Sequence, residues 1–358
     1  MKTAIIIGTR PEIIKMAPVI REFQRRNADF FIVHTGQHYS YNIAEVFFKQ
    51  LELPQPKYNL AIGSGSHAEE TGRILLGVEK LLEDEKPDVV LVEGDTNTVL
   101  AGALAAAKLH IKVGHIEAGL RSYDKSMPEE TNRTLTDHCS DYLFAPTKKA
   151  KEILLSEGIP IRKIYVTGNP IVDSIFQNME AAKKRSNVLH TLRLSPGEYF
   201  LVTLHRQENV DNQTRFAPIL KGLDKVVKEF HLPVIYPIHP RSLKMMNRFK
   251  LRPNDLRIID PLDYLSFLQL ESNAQLIFTD SGGVQEESCI LRVPCVTIRD
   301  NTERPEAIEV GANILVDATP DGIVRGTSFM LNKDKNWGNP FGDGEAARRI
   351  IHILEGEQ

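Results

Sequence analysis

The chain has 358 residues, of which 42% are hydrophobic and 25% are charged, and its formal net charge is −3. This length is about twice that of an average domain, which favours two domains with separate cores. The near-neutral charge balance argues against a nucleic-acid-binding surface. No apolar run approaches the roughly 20 residues of a membrane-spanning helix, so no membrane segment is expected.

The three cysteines, Cys139, Cys289 and Cys295, lack C-x-x-C spacing. They predict neither a disulfide framework nor a cysteine zinc site. Gly8 and the sequence TRPE interrupt the apolar run at the N-terminus, so a signal peptide is not predicted. The expected location is the reducing cytoplasm.

Short β-branched runs alternate with helical patterns along the chain. In order, the strand-like runs are AIIIG, FFIVHTG, DVVLVEG, VGHIEAG, DYLFAPT, KIYVTGN, FLVTLHR, PVIYPIHP, LRIID, QLIFTD, PCVTIRD and NILV. This alternation predicts an α/β fold with parallel sheets. About a dozen strands exceed what one such open sheet comfortably holds, so two Rossmann-like domains are predicted.

The change of domain is predicted at Asn169-Pro170, because a helix and the charged stretch AAKKRSNVLHTLRLSPGE follow. The first domain then spans 1–169 and the second spans 170–344. The final segment, EAARRIIHILEG, has the pattern of an amphipathic helix.

Nearly every predicted strand ends in a polar or charged cluster. These clusters are GTRPEIIK, EGDTNT, HIEAG, TLHRQEN, PIHPR, TDSGGVQEE and RDNTERPE. Ligands of open α/β sheets bind beyond the carboxyl ends of the strands. Helix capping or loop solvation explains any one cluster, but the whole set indicates a functional surface.

The segment TDSGGVQEES lies between a predicted strand and a predicted helix. Ser281, Gly282 and Gly283 would present backbone N–H groups to an anion at a helix N-terminus. A plain serine N-cap with a flexible turn is the alternative. Glu287 lies further along this helix, where its carboxylate could accept from sugar hydroxyls or face solvent.

Four more strand-end residues have two interpretations each. Arg10 and Lys15 could contact phosphate or lie in solvent, and Asp95 could be catalytic or cap a helix. His205 could transfer protons or contact phosphate, because a histidine titrates near neutral pH, or it could be structural. No H-E-x-x-H or comparable ligand cluster occurs, so no metal is predicted.

The sequence GSGSHA at 63–68 matches G-x-G-x-x-A formally. A dinucleotide site needs a buried strand directly before this pattern, and only KYNLAI precedes it. A nicotinamide cofactor is therefore not predicted.

A set of motifs in fixed order resembles the non-hydrolysing UDP-N-acetylglucosamine 2-epimerases. The set covers nearly the whole chain and comprises GTRPEIIKMAPVI, TGQHY, GDTNTVLAGALAA, HIEAGLRS, MPEETNR, VTGNPIVD, LHRQEN, TDSGGVQEE and ERPEA. The resemblance implies a glycosyltransferase-B-like fold with the active site in a cleft between two Rossmann-like domains. It also implies that 345–358 joins the first domain, that the protein is a homodimer, and that no cofactor is used.

The family reaction accounts for the carboxylates. Because C1 of a nucleotide sugar is an acetal carbon, the C2 proton becomes acidic only after UDP leaves and an oxocarbenium-like centre forms. Inversion at C2 without oxidation then needs at least two acid/base groups. By motif, the resemblance assigns these roles to Asp95, Glu117 and Glu129, without saying which serves which face of C2.

The resemblance also assigns the nucleotide contacts. His205 corresponds to the family histidine near the diphosphate, Glu287 to the ribose-binding acid, and Phe267 to an aromatic residue of the uracil pocket. The remaining substrate-binding positions are Arg10, Lys15, Ser281, Gly282, Gly283 and Arg304.

Two departures from the family pattern bear on regulation and substrate. TGQHYSYNIAEVFF replaces the segment that many bacterial members use for a second, activating UDP-N-acetylglucosamine, which argues against such activation. The same segment is similar to relatives that act on diacetamido-glucuronate sugars. Leu262 stands where some relatives have glutamine.

Four alternatives remain open at this stage. They are a 2-epimerase of a related UDP-sugar, a hydrolysing epimerase that releases N-acetylmannosamine and UDP, a glycosyltransferase of the same fold, and a nucleotide-sugar sensor with idle carboxylates.

Overall fold

The computed structural model describes residues 1–36 and 41–356, with the backbone alone at 41–44. These residues divide into two compact units, one comprising 1–176 with 341–356 and the other 177–340. The sequence prediction placed the two changes of domain at 169/170 and 344/345. The first division falls inside a helix that runs from one unit into the other.

The first unit contains a seven-stranded sheet in the order β3-β2-β1-β4-β5-β6-β7. Its strands are Lys2–Ile7 (β1), Asp29–His34 (β2), Tyr58–Asn59 (β3), Val89–Glu93 (β4), Lys112–Ile116 (β5), Tyr142–Ala145 (β6) and Ile164–Val166 (β7). All neighbouring strands are parallel. Only β3 was absent from the predicted strands, because two residues give no recognisable pattern.

Helices connect these strands, as parallel pairing requires. They are Arg10–Arg25 (α1), Tyr41–Gln50 (α2), His67–Glu85 (α3), Asn97–Lys108 (α4), Pro128–Cys139 (α5), Lys148–Ser156 (α6) and Pro170–Arg185 (α7). The helix α7 carries the chain from the first unit into the second.

The second unit contains a six-stranded parallel sheet in the order β10-β9-β8-β11-β12-β13. Its strands are Phe200–Thr203 (β8), Val234–Pro237 (β9), Arg257–Ile259 (β10), Leu276–Thr279 (β11), Cys295–Ile298 (β12) and Asn313–Val316 (β13). Its helices are Val188–Leu192 (α8), Gln207–Val210 (α9), Gln213–Phe230 (α10), Pro240–Arg248 (α11), Tyr264–Asn273 (α12), Gly282–Ile290 (α13), Pro305–Glu309 (α14) and Pro320–Leu331 (α15).

The central strands of both sheets are buried along their length. Residues 4–7 of β1 and 276–278 of β11 have no exposed surface. Helices cover both faces of a parallel sheet, so its strands are apolar throughout rather than alternating. The two strand orders confirm the predicted fold class of two Rossmann-like α/β domains.

The last helix, Ala346–Leu354 (α16), packs against α1 in the first unit. Its apolar side faces inward, and the Asp173 carboxylate on α7 accepts from the N–H groups of Ala346 and Ala347 at 3.3 and 2.9 Å. These contacts occupy N–H groups that the start of a helix leaves without partners of its own. In the described part of the chain, no helix is long and apolar enough to cross a membrane.

Candidate active site and nucleotide site

Two of the predicted catalytic acids follow neighbouring strands of the first sheet. Asp95 comes two residues after β4, and Glu117 comes directly after β5. The two strands pair in parallel with Glu93 opposite Ile116. Asp95 and Glu117 therefore lie at the same carboxyl edge of the sheet, where open α/β sheets bind their ligands.

Glu117 has an unusual backbone conformation and a firmly held carboxylate. Its φ angle of +69° lies in the left-handed region, which is uncommon for residues other than glycine and costs free energy. The residue is only 5% exposed. Its Oε1 atom accepts from Lys15 Nζ at 2.5 Å and from Asn169 Nδ2 at 2.8 Å.

Lys15 lies among the acids of the first unit. Its ammonium group contacts Glu117 and also lies 3.2 Å from Glu93 Oε1. The lysine and both glutamates are buried. The sequence prediction gave Lys15 a nucleotide contact, and the structure surrounds it with two carboxylates whose charge it offsets.

Glu93 and Glu12 are buried carboxyl groups with raised pKa values. Burial raises the pKa of Glu93 well above its ordinary range, with Lys15 acting against this and Glu117 adding to it. Burial likewise raises the pKa of Glu12 to about 7, although Thr96 and the Gly8 N–H donate to its carboxylate. This edge of the sheet therefore retains protons at pH values where ordinary glutamates are ionised.

Asp95 is paired with a buried arginine. Arg133 on α5 contacts the carboxylates of both Asp95 and Glu130, and Asn132 Nδ2 donates to the Asp95 carbonyl at 2.9 Å. The Asp95 side chain remains 30% exposed, while that of Arg133 is 3% exposed. Helix capping falls to Thr96, whose hydroxyl accepts from the Val99 N–H. The Asp95 carboxylate is thus held by an ion pair instead.

Glu129 and Glu130 stand side by side in the first turn of α5 and have different surroundings. Glu130 is buried, and its carboxylate accepts from the N–H groups of Ser122 and Tyr123, each at 2.9 Å. Burial acts to raise the pKa of Glu130, but these bonds and Arg133 lower it overall. Glu130 therefore fixes the preceding loop, and the half-buried Glu129 stays the candidate acid.

A buried ion network supports the loop before Asp95. His115 Nδ1 lies 2.7 Å from Asp137 Oδ1, and its Nε2 lies 2.8 Å from the Gly94 carbonyl oxygen. Arg121 also contacts Asp137, at 2.7 Å. Both ring nitrogens thus lie within hydrogen-bond distance of an oxygen atom. Burial acts against ionisation of Asp137, but His115 and Arg121 lower the pKa of Asp137 overall.

His205 and Asp280 follow neighbouring strands of the second sheet, β8 and β11, where the strand order reverses. The fully buried Asp280 accepts from the N–H groups of His205 and Arg206 and from Asn209 Nδ2, all near 3.1 Å. The His205 imidazole lies 3.5 Å from Asp280 through Nδ1 and keeps 40% of its surface exposed. Partial desolvation of the ring lowers the pKa of His205, and the negative charge of Asp280 opposes this shift.

Ser281, Gly282 and Gly283 form the start of α13, as predicted, with Ser281 at the N-cap. The Ser281 side chain makes no capping bond. A Cβ atom at Gly282 would lie 2.5 Å from Glu303 Oε1, whereas one at Gly283 would meet nothing closer than 3.9 Å. A Cβ atom at 282 therefore requires Glu303 to shift, whereas one at 283 has ordinary van der Waals room.

Arg304 belongs to a buried cluster of charges. Arg206, Arg299 and Arg304 all contact the Glu303 carboxylate, at 3.3, 2.9 and 2.9 Å. Arg304 also lies 3.3 Å from Glu286. Three guanidinium groups therefore converge beside the start of α13, close to the glycine that Glu303 crowds. Glu287, in the same helix, is buried rather than solvated.

Arg10 and Phe267, the remaining predicted nucleotide contacts, lie in two different helices. Arg10 begins α1, with its guanidinium 4.9 Å from the centre of the Phe47 ring. Phe267, on α12, is half-buried against an apolar cluster that includes Val188 and Tyr199. Leu262 packs against the same cluster, which explains why an apolar residue suits that position.

Two predictions concern the loops of the first unit. Residues 37–40, within TGQHYSYN, lie outside the described residues, so the predicted lack of activation by a second substrate stays a prediction. The GSGSHA segment follows the two-residue strand β3 and leads into α3, where Ser66 and Glu69 form a capping box. The described residues contain no cluster of His, Cys, Asp or Glu that could hold a metal ion.

Several supporting residues were not predicted. Asp280 and Glu93 could have been noticed, because each ends a strand or follows one directly. Asn169 and Arg133 could not, because their partners lie 52 and 38 positions away in the sequence. The sequence contains no local signal for such contacts.

The described features define a class of protein: two Rossmann-like domains, one with carboxylates at its sheet edge and one with a glycine-led helix and clustered arginines. A profile of the family described as UDP-N-acetylglucosamine 2-epimerase matches residues 21–355. The chain belongs to this family of enzymes, as its motifs predicted.

Two relatives and one solved structure illustrate the similarity. The chain is 56% identical over 361 residues to the UDP-N-acetylglucosamine 2-epimerase of Methanocaldococcus jannaschii, with 99% of each chain covered. It is similar to a crystal structure of the UDP-GlcNAc 2-epimerase from that organism in complex with UDP-GlcNAc and UDP. That match has a TM-score of 0.94 at 55% identity and covers 99% of this chain and 100% of the other. A UDP-2,3-diacetamido-2,3-dideoxy-D-glucuronate 2-epimerase of Pseudomonas aeruginosa is 42% identical over 358 residues, covering 99% of each chain. Such neighbours confirm the predicted glycosyltransferase-B-like fold class.

Proposed function

We propose that the protein interconverts UDP-N-acetylglucosamine and UDP-N-acetylmannosamine by inverting C2, without releasing free sugar. The observation that carries the proposal is the set of carboxylates at one edge of the first sheet, in a chain of this family. Asp95 and Glu117 follow paired strands, and Arg133 ties the start of α5, which bears Glu129, to Asp95. The sugar-nucleotide specificity rests on the 56% identity to an enzyme of that name.

The proposed reaction begins with loss of UDP. The bond between C1 and the phosphate oxygen breaks, its electron pair leaves with UDP, and an oxocarbenium-like centre forms at C1. A carboxylate removes the C2 proton, and the C2–H electron pair forms the double bond of a 2-acetamidoglucal. A second acid returns a proton to the opposite face of C2, and the UDP oxygen bonds to C1 again. Atoms and electrons balance without an oxidant.

The two units divide this work in the proposal. Asp95, Glu117 and Glu129 of the first unit transfer the protons, because a carboxyl group positioned at the reacting carbon can act as general acid or base. The second unit binds UDP, with Arg10 and Lys15 of the first unit as further contacts. His205 and the backbone N–H groups of Ser281, Gly282 and Gly283 would face the diphosphate, where a helix N-terminus and an imidazole stabilise the leaving anion.

The other nucleotide contacts are proposed by motif. Arg10, Lys15 and Arg304 would strengthen the positive potential around UDP, Glu287 would accept from the ribose hydroxyls, and Phe267 would border the uracil. The Lys15 contact is the one least supported by geometry, since its ammonium group contacts Glu117 and Glu93.

The proposal is tested by NMR of the purified protein with UDP-N-acetylglucosamine in D2O. We expect UDP-N-acetylmannosamine to appear with deuterium at C2, and the substrate pool to acquire the same label. Turnover without deuterium at C2 would exclude proton transfer at this carbon. Free N-acetylmannosamine as the main product would select the hydrolysing alternative, and sugar transfer to an added acceptor would select a glycosyltransferase.

One other substrate is favoured by a specific observation. The 42% identity to a diacetamido-glucuronate 2-epimerase and the YSYN segment suggest a UDP-sugar with a 3-acetamido group and a carboxylate. Parallel assays of both sugars decide between them through the ratio of their kcat/KM values. The higher identity to the N-acetylglucosamine enzyme favours the first substrate.

The proposal includes a cytoplasmic homodimer that supplies glycan or cell-envelope synthesis, as the family resemblance implies. Light scattering of the purified protein measures the subunit number, and cell fractionation measures the compartment.

A further inference from the structure

Asn169 directly contacts a proposed catalytic carboxylate. It lies between β7 and α7 in the segment TGNP and has no exposed surface. Its Nδ2 atom donates to Glu117 Oε1 at 2.8 Å, and its Oδ1 atom accepts from the Ile171 N–H at 3.0 Å. The side chain thus links the start of a helix to the end of strand β5.

The orientation of this amide is determined by its partners. The Ile171 N–H can only donate, so the oxygen of Asn169 must face it. The NH2 group must then face Glu117, and it can only donate. The contact with Glu117 is therefore a hydrogen bond from a neutral donor to a carboxylate, which favours the ionised form of the acid.

The backbone around Asn169 leaves little freedom. The Asn169 N–H donates to the Phe341 carbonyl at 2.8 Å. Gly168 and Gly342 both have positive φ angles, and a Cβ atom at Gly342 would lie 3.1 Å from the Gly168 Cα atom. Such a close backbone approach fixes where the Asn169 side chain begins.

The charges around Glu117 explain why the neutral NH2 donor of Asn169 affects the Glu117 carboxylate. Lys15 contacts Glu117 and Glu93, and Glu12 lies close enough to raise the pKa of Glu93 further. The Lys15 ammonium group is therefore shared between the carboxyl groups of Glu93 and Glu117. A donor that contacts Glu117 stabilises its carboxylate specifically, without adding a charge.

We propose that Asn169 is a positioning residue for the reaction proposed above, acting through Glu117. Its NH2 group fixes the orientation of the Glu117 carboxylate and holds it ionised, so that the group is ready to accept the C2 proton. The inference rests on the proposed function for its catalytic consequence, and on geometry alone for the contact.

Two substitutions remove the donor and keep an oxygen for the Ile171 N–H. Asn169→Ser removes it without adding a charge, and Asn169→Asp replaces it with a carboxyl group of nearly the same shape. Asp173→Asn is the matched control, because Asp173 also ties α7 to the segment after 340 but is bonded to Ala346 and Ala347 instead. Thermal unfolding of each variant checks that it is folded.

The first readout is independent of turnover. Protein labelled with 13C in the glutamate carboxyl groups is titrated by NMR, and the Glu117 signal is identified by its loss in Glu117→Gln. Loss of a hydrogen bond to a charged group should raise the titration midpoint of this signal by about one to two pH units in Asn169→Ser. Asn169→Asp should raise it at least as far, and Asp173→Asn should leave it in place. An unmoved midpoint in both Asn169 variants would overturn the inference.

The second readout is catalytic. Both Asn169 variants should lower kcat about 10- to 100-fold with little change in KM, and should move the acidic limb of the kcat profile to higher pH. In a Glu117→Gln background, Asn169→Ser should cause almost no further loss, because the two residues act as one unit. Equal losses in both backgrounds would mean a general structural role instead. Absence of C2 exchange in the unmodified protein would refute the proposed function, while the titration would still decide the Asn169 contact.

Discussion

Six strands of the first sheet follow the same order as the six of the second, yet different groups follow the central strands of the two sheets. In the first unit the carboxylates of Asp95 and Glu117 follow β4 and β5, and the buried cations Arg133 and Lys15 contact them. In the second unit they are backbone N–H groups at the start of α13 and three arginines around one glutamate. The scaffold sets where the groups lie, and the residue types after each strand set whether the edge handles protons or attracts an anion.

The strongest test of this contrast is Glu117→Gln, which keeps the shape of the side chain but removes its basicity. We expect kcat to fall about 10³-fold or more, as for other acid–base groups. UDP affinity, measured by calorimetry, should stay within about 2-fold, since Glu117 is not among the proposed nucleotide contacts.

The control is Glu152→Gln on α6, an exposed residue outside the strand ends. It should leave both quantities unchanged. A large loss of UDP affinity in Glu117→Gln would contradict the division between the two units.

The next largest effect concerns the proton held by Glu12. Its pKa is about 7 when folded and 4.5 in the absence of burial, so folding takes up a proton between these pH values. The stability due to this group is therefore complete below pH 4.5 and declines as pH rises to about 7. Two and a half pH units at about 1.4 kcal/mol each give about 3.5 kcal/mol.

Glu12→Gln cannot titrate, so its stability relative to the unmodified protein should rise across that interval. Unfolding followed by circular dichroism at several pH values measures the slope, which is independent of any constant cost of the substitution. A difference that does not vary with pH would mean that Glu12 carries no such proton.

In the second unit, Asp280→Asn should weaken UDP binding. The carboxylate accepts from three donors, and an asparagine NH2 group would face at least one of them. Loss of a buried hydrogen bond to a charged group predicts about a 10- to 100-fold loss of UDP affinity by calorimetry. Asp211→Asn, at an exposed ion pair with Arg241 in the same unit, should change it little.

The smallest expected effect separates two adjacent glycines. Gly282→Ala would place a Cβ atom 2.5 Å from a buried carboxylate oxygen, and overpacking of this kind costs about 1–3 kcal/mol. Gly283→Ala has room and should be neutral, or more stable by up to about 1 kcal/mol through better helix propensity. Thermal unfolding compares the two. Equal losses would show that Glu303 can move aside.

The sequence predicted the fold well because its signals are local. Apolar runs end in polar clusters at strand ends such as EGDTNT and TDSGGVQEE, and both precede helices as expected. The strand β3 was not predicted, because two residues are too few to show a periodic pattern.

Contacts between side chains were harder to predict from the sequence. The family resemblance assigned Lys15 a nucleotide contact, and its observed contacts with Glu93 and Glu117 depend on how two strands and a helix pack. Asn169 was interpreted only as a domain boundary, because the contact with Glu117 joins positions 52 residues apart. Contacts of this kind arise from tertiary structure and have no local sequence pattern.

The return of residues 341–356 to the first unit has a consequence for synthesis of the chain. The second unit is one continuous stretch, 177–340, inserted into the first. During translation the second unit can therefore complete its fold as soon as it emerges from the ribosome, since domains generally fold as units. The first unit, although it begins earlier, must wait for α16 to cover α1.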